Sequence, residues 1–187
     1  MIKITTLFKK DPNDLSRVIN EVNTGNEWVF DGMAIATRKF DGTAAAIIDG
    51  EVYKRYDVKK DRQAPDGAIP CQDADPITGH HPHWVKCDRH KKEDQYFFEA
   101  YDSYIGELYD GTYELCGEKV QGNPERIIGH KLIRHGSEIL ALPALTFDRL
   151  KDYLSDNSND IEGIVFHHKL DGRMCKLRKS DFGVLRG

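Results

Sequence analysis

Short runs of alternating apolar and polar residues, broken by Asp-Gly pairs, dominate the chain. Ile2-Lys3-Ile4-Thr5-Thr6-Leu7-Phe8 is rich in side chains that fit a pleated surface and predicts a strand. Asp14-Leu15-Ser16-Arg17-Val18-Ile19-Asn20-Glu21-Val22, after the start signal Asp11-Pro12, predicts a brief helix, which Asn23-Thr24-Gly25-Asn26 breaks. Glu27-Trp28-Val29-Phe30 runs to a turn at Asp31-Gly32, and Ala34-Ile35-Ala36-Thr37 follows. Ala44 to Ile48, the pair Asp49-Gly50 and Val52 to Tyr56 predict a β-hairpin. Ile164 to His168, Asp171-Gly172 and Met174 to Arg178 predict another. Strands are also expected at Thr112–Gly117 and Ile127–His135. Apolar residues at Phe97, Phe98, Tyr101, Tyr104, Ile105 and Leu108 have helical spacing, so Gln95–Leu108 predicts an amphipathic helix. Pro143 to Leu154 predicts a second helix with Thr146 as N-cap. Lys59 to Pro82, with Pro65-Asp66-Gly67, Asp75-Pro76 and Thr78-Gly79, predicts a long surface excursion. The fold class expected is α+β, mainly antiparallel sheets with flanking helices.

Composition narrows the class. The 187 residues suit one domain with a real core, and 39% hydrophobic with 31% charged residues is ordinary for a globular chain. A net charge of −4 provides no global attraction to nucleic acid, so such a partner must be held by local basic patches. One candidate is the run Lys86, Arg89, His90, Lys91 and Lys92, with Lys54, Arg55, Lys59, Lys60 and Arg62 beside it. A solvated charged surface explains each run equally well. The absence of a membrane-length apolar run or a signal-peptide core predicts a cytoplasmic protein with no membrane partner. The four cysteines lack a tight pairing pattern, which fits a reducing compartment. Cys71, His80, His81, His83, Cys87 and His90 contain no Cys-x₂₋₄-Cys pair, and zinc is not expected there. The alternative is a loop near substrate, with His80, His81 and Trp84 for stacking or phosphate contact.

Candidate chemistry centres on Lys39-Phe40-Asp41-Gly42. Alone, Asp-Gly marks a turn. Strand alternation pairs Tyr53 with Arg55, Glu114 with Cys116 and Lys176 with Arg178 on shared faces, and Lys39 with Asp41 if the extended stretch reaches that far. In chain order, Lys39-Phe40-Asp41-Gly42, Arg55, Thr112-Tyr113-Glu114-Leu115-Cys116-Gly117, Glu162-Gly163-Ile164-Val165-Phe166 and Lys176-Leu177-Arg178 resemble motifs I, Ia, III, IV and V of the covalent nucleotidyltransferases, the ligases and capping enzymes. Four further strings resemble a small RNA-ligase family of phages and bacteria with a longer animal relative. They are Thr78 to Val85, Tyr113 to Glu125, His130 to Gly136 and Lys179 to Gly183. The chain departs from the pattern twice. Motif V usually carries two lysines where this chain has Lys176 and Arg178, and the base-stacking position offers His130 or an aliphatic neighbour rather than an aromatic ring.

The resemblance implies a single nucleotidyltransferase (adenylation) domain over residues 1–187, of the ATP-grasp-like DNA and RNA ligase type, with no separate OB-fold or C-terminal domain. It implies that Lys39 takes AMP from ATP, passes it to a 5′-phosphate RNA end, and that a 3′-hydroxyl then seals the strand. A role in RNA repair in a bacterial or phage-infected cell follows, with the protein a monomer. Lys39, Glu162 and Lys176 are the implied catalytic residues. ATP contacts are implied for Thr37, Arg38, Lys39, Asp41, Arg55, Glu114, His130, Glu162, Lys176 and Arg178. Glu162 is the implied ligand of Mg²⁺, which Mn²⁺ can replace. The lysine must be neutral to attack phosphorus, and the cations Arg38, Lys176 and Arg178 favour that state. Arg55 and Glu114 suit the ribose hydroxyls as donor and acceptor. Plainer roles stand beside these: Arg55 and Glu114 as cross-strand ion-pair partners, and Glu162 as a loop carboxylate. The rival functions are a minimal DNA ligase, a capping guanylyltransferase, or a catalytically silent nucleotide- or RNA-binding module.

Overall fold

A computed structural model describes residues 4–76, 78–142 and 144–186. In chain order the strands are β1 (Thr5–Thr6), β2 (Phe8–Asp11), β3 (Asp14–Val22), β4 (Ala34–Lys39), β5 (Thr43–Ile48), β6 (Glu51–Val58), β7 (Ile69–Pro70), β8 (His81–Lys86), β9 (Gly111–Gly117), β10 (His130–Arg134), β11 (Gly163–His168) and β12 (Met174–Arg178). Two α-helices, α1 (Gln95–Asp102) and α2 (Phe147–Ser155), accompany them. The architecture is α+β and mostly antiparallel. The chain divides into two compact units.

One unit contains Ile4–Phe40 and the chain from Gly136 onward. Its four-stranded sheet has the order β1-β12-β11-β4, and β2 pairs with β3 beside it. One face, carrying Ile164, Phe166, Cys175 and Leu177, packs with Leu150 and Leu154 of α2 in a core that includes Leu7, Phe8 and Val29. Thr146 caps α2 as expected, its hydroxyl accepting from the Arg149 amide at 3.3 Å. Pro143, the expected first residue of this helix, lies outside the described residues, as do Ile2 and Lys3 of the expected opening strand.

The helix expected over Asp14–Val22 is a strand. Pro12-Asn13 forms a tight turn, and β3 folds back on β2 with Asp11 opposite Asp14 and Lys10 opposite Val18. The branched Val18, Ile19 and Val22 suit this pairing, and burial of Val18 in the core favours it over a weak local helix preference. Glu27–Val29 forms a 3₁₀ turn that buries Trp28 and Val29.

The second unit contains Asp41–His135. Its six-stranded sheet has the order β10-β9-β5-β6-β8-β7. Both Asp-Gly hairpins form as expected. In this unit Asp49 and Gly50 take φ of 51° and 73°, which the two-residue turn between β5 and β6 requires. Ala45, Ile47, Val52, Tyr113, Leu115 and Leu132 face Phe97 and Ala100 of α1 in a separate core. The amphipathic helix stops at Asp102, six residues early. Gly106 turns the chain at φ 106°; Tyr104 and Leu108 still pack on the core, whereas Ile105 is 97% exposed. The expected strand over Ile127–His135 is shorter too, beginning at His130.

Lys54 reaches across to the almost fully buried Asp94 just before α1, and the other Asp94 oxygen accepts the Asp88 amide at 2.9 Å. The four cysteines are free thiols; burial pushes Cys87 and Cys175 up to about 12, so both stay protonated and unreactive at neutral pH. Among the described residues no helix is long and apolar enough to cross a membrane.

Candidate active site

In the unit built on α2, strand register decides which side chains meet. Gly163 pairs with Lys39 on one side and Arg178 on the other, and Val165 pairs likewise with Thr37 and Lys176. Directly opposed residues in antiparallel strands point to one face. Lys39, Thr37, Lys176 and Arg178 therefore share the face turned away from α2. Gly163 carries no side chain, so a gap of roughly 10 Å between Cα atoms opens between Lys39 and Arg178, two strand spacings wide. A Cβ at Gly163 would run into the Leu177 carbonyl and the Arg178 Cα, so close strand approach as well as the gap demands glycine.

Lys39 ends β4, and its ammonium pairs with Glu162 Oε2 while donating to the Phe40 carbonyl at 3.3 Å. Lys176, half-buried, meets no carboxylate within ion-pair distance among the described residues. Desolvation, and then the charges of Arg178 and Lys39, lower its pKa from the ordinary lysine value. Arg178 is anchored: its amide and Nη2 donate to the two oxygens of Asp181 at 2.8 and 3.2 Å. Asp181 is fully buried and also accepts from Lys10 at 2.7 Å. Burial opposes its ionisation, but Lys10 and the Arg178 groups prevail and hold it below the usual carboxylate range. Thr37 is buried, with its hydroxyl committed to the Val165 carbonyl at 3.2 Å and His167 Nε2 at 3.0 Å.

Arg38 does not join this cluster. Alternation along β4 turns it to the α2 face, where it stacks on the Phe40 ring and donates to Glu138 and the Asp160 carbonyl. It is therefore not among the cations beside Lys39, contrary to the sequence expectation. The condition for Asp41 to share a strand face with Lys39 is not met, because β4 ends at the lysine.

The second cluster lies in the α1 unit, on the sheet face turned away from α1. Register aligns Ile133, Glu114 and Ala44 in one row. One step beyond the Ala45–Lys54 pair, Ala44 faces Arg55, which is paired with Trp84. Ala44 thus separates Glu114 from Arg55 by two strand spacings, again roughly 10 Å. The cross-strand ion pair is not formed: Glu114 instead accepts the Gly42 amide at 3.2 Å and pairs with His135 Nε2 at 2.8 Å. His135 Nδ1 lies 2.9 Å from Thr112 Oγ1, so the ring is held at both nitrogens. A Cβ at Gly42 would strike the Leu115 carbonyl and Cys116 Sγ. The Asp-Gly pair is thus more than a turn; its glycine lets the chain lie against β9.

His130 belongs to the other face. It alternates with Leu132 toward α1, stacks on Tyr96 at 4.3 Å and has Nδ1 2.9 Å from Glu99. Its placement does not favour the base-stacking role expected of it; on this strand the aliphatic Ile133 shares the Glu114 face. The basic runs are also less available than they looked. Arg89 is bidentate with Asp102 at 2.8 Å, Lys86 lies 3.2 Å from Glu51, and Lys54 is tied to Asp94. Trp84 is buried within β8 rather than on a loop, and the His81 and His83 rings lie 4.2 Å apart. Among the described residues no three His, Cys, Asp or Glu side chains gather as a metal site.

A profile of the RNA ligase 1 family matches residues 85–186, just over half of the chain. The chain belongs to the RNA ligase 1 family. It is 31% identical to mouse (Mus musculus) RNA ligase 1 over 103 residues, covering 51% of this chain and 31% of that protein. It is 26% identical to orangutan (Pongo abelii) RNA ligase 1 over 168 residues, covering 69% of this chain and 51% of that protein. The chain thus spans about half the length, or less, of the curated relatives it matches. The RNA ligase resemblance read from the motifs agrees with this membership. Three site residues escaped the motif reading: Asp181, His135 and Glu125, whose Oε1 accepts the Asp41 amide at 2.9 Å. All three act through another residue, and all three fall within strings already noted as family-like: Glu125 in Tyr113 to Glu125, His135 in His130 to Gly136 and Asp181 in Lys179 to Gly183.

Proposed function

We propose that this chain carries the nucleotidyl-transfer chemistry of an ATP-dependent RNA ligase, with Lys39 as the nucleophile. The observation that carries this reading is the meeting of Lys39, Glu162, Lys176 and Arg178 on one sheet face, over a residue with no side chain. In the first step Lys39 Nζ attacks the α-phosphorus of ATP; a P–N bond forms, and the P–O bond to pyrophosphate breaks. Attack requires the neutral amine. Its proton leaves from the atom that now faces Glu162 Oε2. Lys176 and Arg178, on the same face, then neutralise charge on the phosphate oxygens in the transition state.

Arg55 and Glu114 suit the ribose hydroxyls, and Ala44 keeps the floor between them low. In the second step a 5′-phosphate oxygen of RNA attacks the phosphorus and the lysine amine leaves. In the third a 3′-hydroxyl attacks the activated 5′ end and AMP leaves. Mg²⁺ fits the residues present: it keeps several waters, prefers phosphate oxygens and needs only one or two protein carboxylates, here Glu162. When bound it offsets phosphate charge and competes with Lys39 for that carboxylate.

The experiment is incubation with α-labelled ATP and Mg²⁺, followed by addition of RNA with 5′-phosphate and 3′-hydroxyl ends. Labelled protein that loses its label to RNA, and no label on Lys39→Ala, is the expected result. An unlabelled wild-type protein, or equal labelling of the variant, overturns the reading. GTP as donor and DNA ends as acceptor distinguish capping and DNA ligation.

A further inference from the structure

We infer that Glu125 is a positioning residue for nucleotidyl transfer, holding the chain immediately after the nucleophile; this rests on the reading of Lys39 above. The amides of Asp41 and Gly42, two and three residues beyond Lys39, each donate to a carboxylate. Asp41 donates to Glu125 Oε1 at 2.9 Å and Gly42 to Glu114 Oε1 at 3.2 Å. Both carboxylates belong to the α1 unit, as do the two amides. Hydrogen bonds from an amide to an ionised carboxylate are about twice as strong as neutral ones. Gly42 at the same time lies too close to β9 to admit a side chain. The segment is therefore fixed by a packed contact and two charge-assisted bonds, and Glu114 supplies only one of them.

The loop that carries Glu125 is built at some cost to hold it. Gln121, Asn123 and Arg126 have positive φ, 49°, 56° and 53°, as do Gly122 at 76° and Gly129 at 68°. Left-handed backbone at non-glycine residues is disfavoured and persists only where the surroundings over-determine it. Here Asn123 supplies the brace. Its side chain donates to the Ile127 carbonyl at 3.0 Å and accepts the Ile127 amide at 2.9 Å, closing a ring around Pro124, Glu125 and Arg126. Further turn bonds run from Asn123 to the Val120 carbonyl at 2.8 Å and from Arg126 to the Asn123 carbonyl at 3.0 Å. Glu125 is thus presented from a stiff loop rather than a mobile one. Its bond to Asp41 fixes the chain two residues from an amine that must meet phosphorus in line. Misplacement of a reacting group by about 1 Å costs on the order of a hundredfold in rate.

The test compares Glu125→Ala, which removes the acceptor, with Glu125→Gln, which keeps a carbonyl oxygen. Two readouts are taken: exchange of the Asp41 amide without ATP, and the single-turnover rate of protein labelling by α-labelled ATP. Loss of one charge-assisted bond predicts roughly tenfold faster Asp41 exchange and roughly tenfold slower labelling in Glu125→Ala. ATP concentration at half-maximal rate changes by less than about twofold, since Glu125 acts through the chain and not on the nucleotide. Glu125→Gln restores both readouts to within about threefold, which a loss of general stability does not predict. Unchanged Asp41 exchange in Glu125→Ala overturns the clamp. Faster exchange with unchanged labelling, or no rescue by glutamine, overturns the positioning role. If the wild-type protein takes no label, the ATP reading fails and the positioning role falls with it, while the exchange result still decides whether Glu125 holds Asp41.

Discussion

The two clusters use one device with opposite bookkeeping of charge. In each, a small residue in the middle strand (Gly163 in one, Ala44 in the other) leaves a gap between long polar side chains on the flanking strands. In the α1 unit the key carboxylate is already served: Glu114 holds the Gly42 amide and His135. In the α2 unit Lys39, Lys176 and Arg178 crowd together; Lys176 makes no direct ion pair among the described residues, and the more distant Glu162 and Asp181 only partly offset its desolvation and the two neighbouring cations. The first arrangement is preorganised, its carboxylate held from two sides. The second holds excess positive charge in a half-buried place, which suits the phosphate contact proposed for it.

The largest effect expected from perturbing this contrast is at Asp181. Asp181→Asn leaves Lys10 and Arg178 without their buried counter-charge and is expected to cost about 3 kcal/mol in chemical denaturation. The folded pKa lies below the unfolded one, so Asp181 contributes its full stabilisation above the unfolded value near 3.9 and loses it as pH falls through the lowered folded value. The wild-type advantage should therefore be flat from about pH 5 to 8 and shrink below about pH 4.

Lys176→Met should separate activity from stability. Labelling by α-labelled ATP is expected to fall about a hundredfold, the usual loss when one transition-state charge partner is removed. Melting should nevertheless show a variant more stable by about 0.5–1 kcal/mol at neutral pH, because a desolvated ammonium that Glu162 and Asp181 offset only in part is gone. With the folded pKa below the unfolded one, the unfolded chain holds more protons in the window between them. Wild-type stability therefore rises with pH through that window toward about 10.4, and the advantage of the methionine variant should fade there.

Ala44→Leu fills the gap between Glu114 and Arg55 without touching either core. Half-maximal labelling should need roughly tenfold more ATP, with melting changed by less than about 0.5 kcal/mol. His135→Asn is the smallest change: Glu114 loses one of its two holders, and a loss of about threefold in labelling rate is expected, measured at saturating ATP.

Local chemistry made part of this legible. Asp49-Gly50 and Asp171-Gly172 announced their hairpins because both the left-handed turn and the flanking alternation are written within a dozen residues. Thr146 announced its helix for the same reason. Asp14–Val22 misled because its apolar residues suit either conformation, and the partner that settles the matter is another segment, Phe8–Asp11. At the site, Lys39, Glu162, Lys176 and Arg178 stood out in ordered motifs. Arg38, just before the first motif, and His130, at the start of a family-like string, were expected at the site too but face the helices, since a one-residue offset along a strand reverses a side chain.

By itself the sequence determined the strands that carry the candidate site, the lysine proposed to lead it, and membership of an RNA ligase family. Those properties rest on turn residues, alternation and motif order, all read within short windows. Only the tertiary structure decided that Gly163 and Ala44 open gaps, that Lys176 is set beside two cations with no direct ion pair among the described residues, and that Asp181, His135 and Glu125 hold other residues in place. Each of those facts depends on which strand lies beside which and in what register. That choice is made by burying two separate apolar cores, and no local run of residues encodes it.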